Sequence, residues 1–325
     1  MRRPVVLVLL ALGVAALAVP ALAQNAATPP ASPTENVTVT GIKDVDKAVT
    51  DFVGAMTVPT RVAGKMARWG EGICPITAGV RPTAVTFITQ HVKDIATQVG
   101  APVNDRAGCK PNIEIVFTTT PQALLDTIFI KYPELLGYHD NSAQATQLAT
   151  VTYPIQSWYS TATRDLRGQP EVDGLKTGGV TMTMQLPEGG YGGPKGGALP
   201  MLEMNMPGAR VTNVTGGRLG DGTRSEFHHV VVVVEPAKLL EYELGTLSDY
   251  IALLALAQLQ PPKSCQELPT IMNLLVAGCS TPPRALTNVD FAYLRALYKV
   301  TATTTFHGQR GEMIYQMDKS LGAPQ

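Results

Sequence analysis

The spacing of apolar residues divides the chain into elements before any chemistry is considered. Val85, Ile88, Val92, Ile95 and Val99 recur at steps of three and four. That spacing predicts one helix with a single buried face, opened by Pro82 and closed by Gly100. His91 lies beside that face and reads as a core-edge histidine. From Asn112 to Thr119, Ile113, Ile115 and Phe117 alternate with their neighbours, the period of a strand. Pro121 opens a further helix, Tyr132 to Thr150 reads as loop and short helix, and Val151 to Thr163 is β-prone. Residues 41–67 carry a weaker helical pattern, and Arg68 to Thr77 predicts a short strand. The valine run in Glu226 to Glu235 predicts a central strand buried on both faces. Strict alternation there sends His228 and His229 to opposite faces, so the two are not expected to share a metal.

The most apolar helix outside the N-terminal 23 residues falls in the stretch Thr246 to Tyr298. A T-x-x-D box at Thr246 and Asp249 predicts its start. Ile251 to Leu259 is apolar all round except for Gln258, which predicts a helix buried at the centre of a domain, and Pro261-Pro262 stops it. A second box, Thr287 to Asp290, opens the helix FAYLRALY.

Residues 1–23 read as a cleaved secretory signal: Arg2 and Arg3, an apolar run from Val5 to Val19, and Ala21-Leu22-Ala23 as a cleavage site. Small, polar, Pro-containing residues 24–40 read as a disordered leader. The expected domain occupies 41–325, interrupted by a Gly/Pro/Met-rich insertion at about 164–225. Gly189 to Gly197 lacks the spacing of a phosphate-binding loop. Met182, Met184, Met201, Met204 and Met206 form M-x-M and M-x-x-M-x-M patterns that suit a soft metal such as Cu(I), or one face of a hairpin. Asn36 and Asn213 stand in glycosylation sequons.

Charge and cysteine content narrow the functional classes. The chain has 26 basic and 26 acidic residues and no basic run, so it offers no electrostatic footprint for nucleic acid. No segment beyond the signal reaches membrane-spanning length. With an export signal, the four cysteines read as disulfides. Local order favours Cys74–Cys109 and Cys265–Cys279; a zinc site is the rival, without any CxxC pair to support it. The expected location is periplasmic or secreted.

The order of elements resembles the zincin metalloproteases, the matrixin-type metzincins most closely. Thr270-Ile271-Met272 is similar to the Met-turn of that family, and Leu286-Thr287-Asn288-Val289-Asp290 through Leu297-Tyr298 to its closing helix. The chain also resembles a group of exported, lipoprotein-like bacterial proteins of unknown function. The resemblance implies an α+β, zincin-like fold: a twisted mixed sheet, a backing helix, a central buried helix and a C-terminal helix. It also implies that the zinc centre is gone. With Met272 set on the Met-turn, Leu254 falls on the first His of H-E-x-x-H, Ala255 on the general-base Glu, Gln258 on the second His and Ser264 on the third. None of these pairs a ligand set with a base, so no metal-activated water is expected.

The sequence therefore points to an exported, non-catalytic domain with a binding or envelope-associated role, without cofactor. Two alternatives remain open. One is a hydrolase with a relocated site, using His228 or His229 with Glu226, or His139 with Asp140. The other is a soft-metal binder through the methionines.

Overall fold

The computed structural model describes residues 42, 44–174, 180–185, 201–206 and 221–322. The proposed signal, the leader, both sequons and the run Gly189 to Gly197 lie outside the described residues. The described residues all fall in one unit of the chain, Thr34–Gln325.

Strand β8 (Arg224–Val234) forms the axis of a mixed six-stranded sheet. Its Val run is buried throughout, as expected of a strand covered on both faces. Along one edge β8 pairs in parallel with β1 (Ala67–Arg68) and then with β3 (Ile113–Phe117), which in turn carries β2 (Pro75–Ala78) in parallel. Along its other edge runs β4 (Ile155–Arg164), antiparallel. The single strand expected near residue 70 is thus two short ones. Residues 164–225 are not wholly an insertion, because β5 (Pro170–Val172) pairs with the end of β4 in the main sheet. Strands β6 (Val180–Gln185) and β7 (Met201–Met206) make a separate hairpin.

Alternation along the strands builds a core on each face. Ile113, Ile115 and Phe117 join Val230, Val232 and Val234 under five helices: α1 (Val45–Met56), α2 (Pro82–Val99), α5 (Leu244–Leu256), α6 (Asn288–Lys299) and α7 (Phe306–Leu321). Val116, Val231 and Val233 face the other way, toward α3 (Pro121–Lys131) and the turn Pro133–Leu136. Each fully buried valine contributes roughly 1.5 kcal/mol or more of transfer free energy. Helix α2 keeps its sequence-derived bounds, with Pro82 in its first turn and Gly100 at φ 81° as its left-handed cap.

Three expectations about this frame are corrected. Helix α5 starts at Leu244, two residues before Thr246, so Thr246 and Asp249 do not cap it. Thr246 is buried inside the helix. Asp249 instead reaches His91 Nε2 at 2.5 Å and accepts the Leu286 amide at 2.9 Å, which fastens α2 and the approach to α6 onto α5. Secondly, α5 ends at Leu256, not at Leu259. Ala257 is extended at φ −143°, and Leu259 bridges to Thr57 after α1. Leu254 and Gln258 are therefore not one helical turn apart. Thirdly, the β4–β8 register slips between Ser160 and Thr161, which face His229 and Phe227, so His228 is the extra residue of a bulge. Strict alternation through His228 and His229 does not hold.

The second capping box is present. Thr287 Oγ1 accepts the Asp290 amide, and Asp290 Oδ2 accepts the Thr287 amide. Both disulfides, Cys74–Cys109 and Cys265–Cys279, are formed, which suits an oxidising compartment. Among the described residues no helix is long and apolar enough to cross a membrane.

Candidate functional site: a cleft at the open edge of the sheet

The C-terminus of α5 is buried in the larger core, and its last carbonyls need donors that the helix cannot supply. Three aromatic side chains supply them. The Tyr159 hydroxyl is shared between the carbonyls of Leu254 at 2.8 Å and Ala257 at 2.9 Å. Trp69 Nε1 donates to Ala255 at 2.9 Å, and the Tyr298 hydroxyl to Leu256 at 2.9 Å. Burial raises both phenols above their ordinary range, so they stay protonated and donating. Phe227 stacks on Tyr159 and meets Trp69 edge-on, which holds the caps in place.

This capped helix end borders a cleft of about 490 Å³. Its wall is β4 from Ile155 to Thr161, its far side Leu136 to Tyr138 with Gln144 and Gln147, and its floor Tyr250, Leu254, Gln258, Leu259 and Met272. Hydroxyls, amides and aromatic rings dominate. Among the described lining residues Arg61 alone is charged, and its guanidinium is engaged by Asp140 at 3.3 Å.

The wall is an incomplete sheet edge. The Glu235 amide donates to the Pro154 carbonyl, and the same register turns the backbone groups of Gln156, Trp158 and Ser160 toward β8. The groups of Ile155, Ser157 and Tyr159 therefore point away from β8. Beyond them Thr161 accepts the Asp173 amide and β5 takes over the edge from Ala162 to Arg164. Among the described residues no strand lies along Ile155 to Tyr159. Gly137, at φ 94°, closes the edge at Tyr159: a Cβ there would stand 2.6 Å from the Tyr159 carbonyl oxygen.

Of the five positions drawn from the resemblance, the cleft gathers three, Leu254, Gln258 and Met272. Ala255 is fully buried in the core, and Ser264 lies exposed outside the cleft. Among the described residues Gln258 Oε1 is buried without a hydrogen-bond partner. Met272 follows Thr270, whose hydroxyl accepts the Met272 amide and donates to Asp290 Oδ1. Asp290 Oδ2 accepts the Ile271 amide at 3.0 Å, so one buried carboxylate ties the Thr270-Ile271-Met272 turn to the start of α6. Burial raises the Asp290 carboxyl against the pull of these bonds.

The pairs suggested for a relocated site are engaged elsewhere. Glu226 is held by Arg164 and Arg224, and Asp140 by Arg61. His229 Nε2 meets Glu114 Oε1 at 2.5 Å, off the alignment of a hydrogen bond. Ser160 stands opposite His229, and Glu114, which lies opposite Val231, reaches His229 diagonally, so a Glu114–His229–Ser160 row spans three adjacent strands. Single-residue patterns give no sign of this row, since it exists only through strand pairing. Its residue types are those of an activated serine, but all three side chains are buried away from the cleft and Ser160 Oγ has no partner among the described residues. Nucleophilic chemistry needs a serine–imidazole bond and an approach for substrate. Among the described residues no group of three or more His, Cys, Asp or Glu is placed to hold a metal ion. Compared with known proteins, the chain matches no family model, no curated protein and no solved structure.

Proposed function

We propose that the chain is a non-catalytic, zincin-like binding domain that holds an extended, largely uncharged peptide segment in the cleft beside β4. The open backbone edge of Ile155 to Tyr159 carries this reading. An unpaired edge takes an added strand through main-chain hydrogen bonds, and side-chain pockets then select the sequence. The zincin-like part rests on the order of elements, on the Thr270-Ile271-Met272 turn before the capped α6, and on the gathering of Leu254, Gln258 and Met272 in one cleft. Leu254 and Gln258 put an apolar residue and an amide where metalloprotease chemistry needs imidazoles, the core residue Ala255 takes the place of the general-base carboxylate, and Met272 keeps the Met-turn residue. The peptide is bound and released intact.

Capture of pooled synthetic peptides by the immobilised full-length protein tests this. Ser157→Pro removes an outward amide without touching the β4–β8 bonds, and Ser157→Ala keeps it. Uncut peptides retained by the wild type and the alanine variant, and lost by the proline variant, support the reading. Equal retention by both variants, cleavage of the peptides, or no retention at all would overturn it.

A further inference from the structure

We infer that the β6–β7 hairpin is a Cu(I) site built from methionines. The antiparallel register sets Met182 opposite Met204, Val180 opposite Met206 and Met184 opposite Leu202. Strand period two places these three rungs on one face of the hairpin. Met182, Met184, Met204 and Met206 thus take four of its six positions, and they are contiguous. Met201, opposite Gln185, falls on the other face with Thr181, Thr183, Glu203 and Asn205. The spacing read in the sequence as M-x-M and M-x-x-M-x-M becomes a single cluster only because of this register.

The chemistry selects the metal. Thioethers are soft, neutral donors that suit Cu(I), whereas Zn(II) and the harder divalent ions take nitrogen, thiolate or carboxylate oxygen. Positions directly opposed on a hairpin face stand about 4.5–5.5 Å apart at Cβ, a spacing one ion can bridge. A hairpin face that only had to be apolar would be served by isoleucine or valine, which are the stronger strand formers. No thiolate competes among the described residues, because Cys74, Cys109, Cys265 and Cys279 are all in disulfides. Among the described residues the hairpin pairs with no strand of the main sheet.

Anaerobic titration of the full chain with Cu(I), in competition with a chromogenic Cu(I) chelator, tests the site. The wild type should retain one equivalent, should take up Ag(I) in the same way, and should show no Zn(II) binding that depends on these methionines. Replacement of Met182, Met184, Met204 and Met206 together by leucine keeps an apolar face and should abolish retention. Met182→Leu and Met204→Leu alone, at the directly opposed pair, should each weaken it, which keeps the test decisive if the fourfold variant misfolds. Absence of Cu(I) uptake by the wild type would overturn the inference, and so would undiminished uptake by the leucine variants.

Discussion

The hydroxyl of Tyr159 lies 2.8 Å from the carbonyl oxygen of Leu254, and that bond joins the open strand of the sheet to the buried end of α5. It sets the cleft wall against the cleft floor. Tyr159→Phe keeps the ring and its stacking on Phe227 but withdraws the donor. Two carbonyls then lose the same partner in a buried place, which costs about 1–3 kcal/mol. Urea denaturation of the variant should show that loss. Unchanged stability would mean that water replaces the hydroxyl and that the helix end is wet.

Leu254 belongs to the larger core and also lines the cleft. Leu254→Ala should destabilise by about 2–5 kcal/mol, the range for a core leucine whose surroundings relax only in part. The same denaturation measurement decides it. A loss under ~0.5 kcal/mol, the scale of surface substitutions, would show that the leucine stands in an open groove.

Asp290 binds the Thr270 hydroxyl, the Ile271 amide and the Thr287 amide at once. Asp290→Ala strips the α6 cap and frees the Met272 turn together. A lost cap costs about 0.5–2 kcal/mol and each buried donor left unpaired about 1–3 kcal/mol, so this variant should be among the most damaging single changes near the cleft. Hydrogen exchange should show the amides of Ile271 and Met272 opening before those of β8. Protection of the turn equal to wild type would contradict the linkage.

Much of this frame is legible in the sequence. The bounds of α2, the strand through Ile113, Ile115 and Phe117, the valine strand, the Thr287–Asp290 cap and both cysteine pairings are local signals, and the structure keeps them. The failures lie where distant contacts override local preference. Thr246 and Asp249 form a valid capping motif, but His91 and the Leu286 amide claim the carboxylate and the helix begins a half turn earlier. An apolar run to Leu259 suggests a longer α5, but Tyr159 claims the Leu254 and Ala257 carbonyls while the chain turns outward to meet Thr57. The cleft itself is not legible, because an open edge depends on which strand sits last in the sheet.

The Cys265–Cys279 bond closes a short loop that contains the Thr270-Ile271-Met272 turn. In the chain-entropy model a loop of this size contributes roughly 3 kcal/mol. Cys265→Ser with Cys279→Ser should lose about that much in guanidinium denaturation, with the Cys74–Cys109 link intact by peptide mass mapping. A mapped Cys74–Cys265 or Cys109–Cys279 link in the wild type would contradict the pairing.

Hydrogen exchange at the sheet edge tests the binding role most directly. In the free protein the Ser157 amide points into the cleft, where no strand among the described residues receives it, while the amides of Gln156 and Trp158 face β8. Ser157 should therefore exchange quickly and its two neighbours slowly. Adding a captured peptide should slow Ser157 and leave its neighbours unchanged, with the peptide recovered whole. Protection of Ser157 in the free protein, or a bound peptide that leaves Ser157 fast, would contradict strand addition at β4.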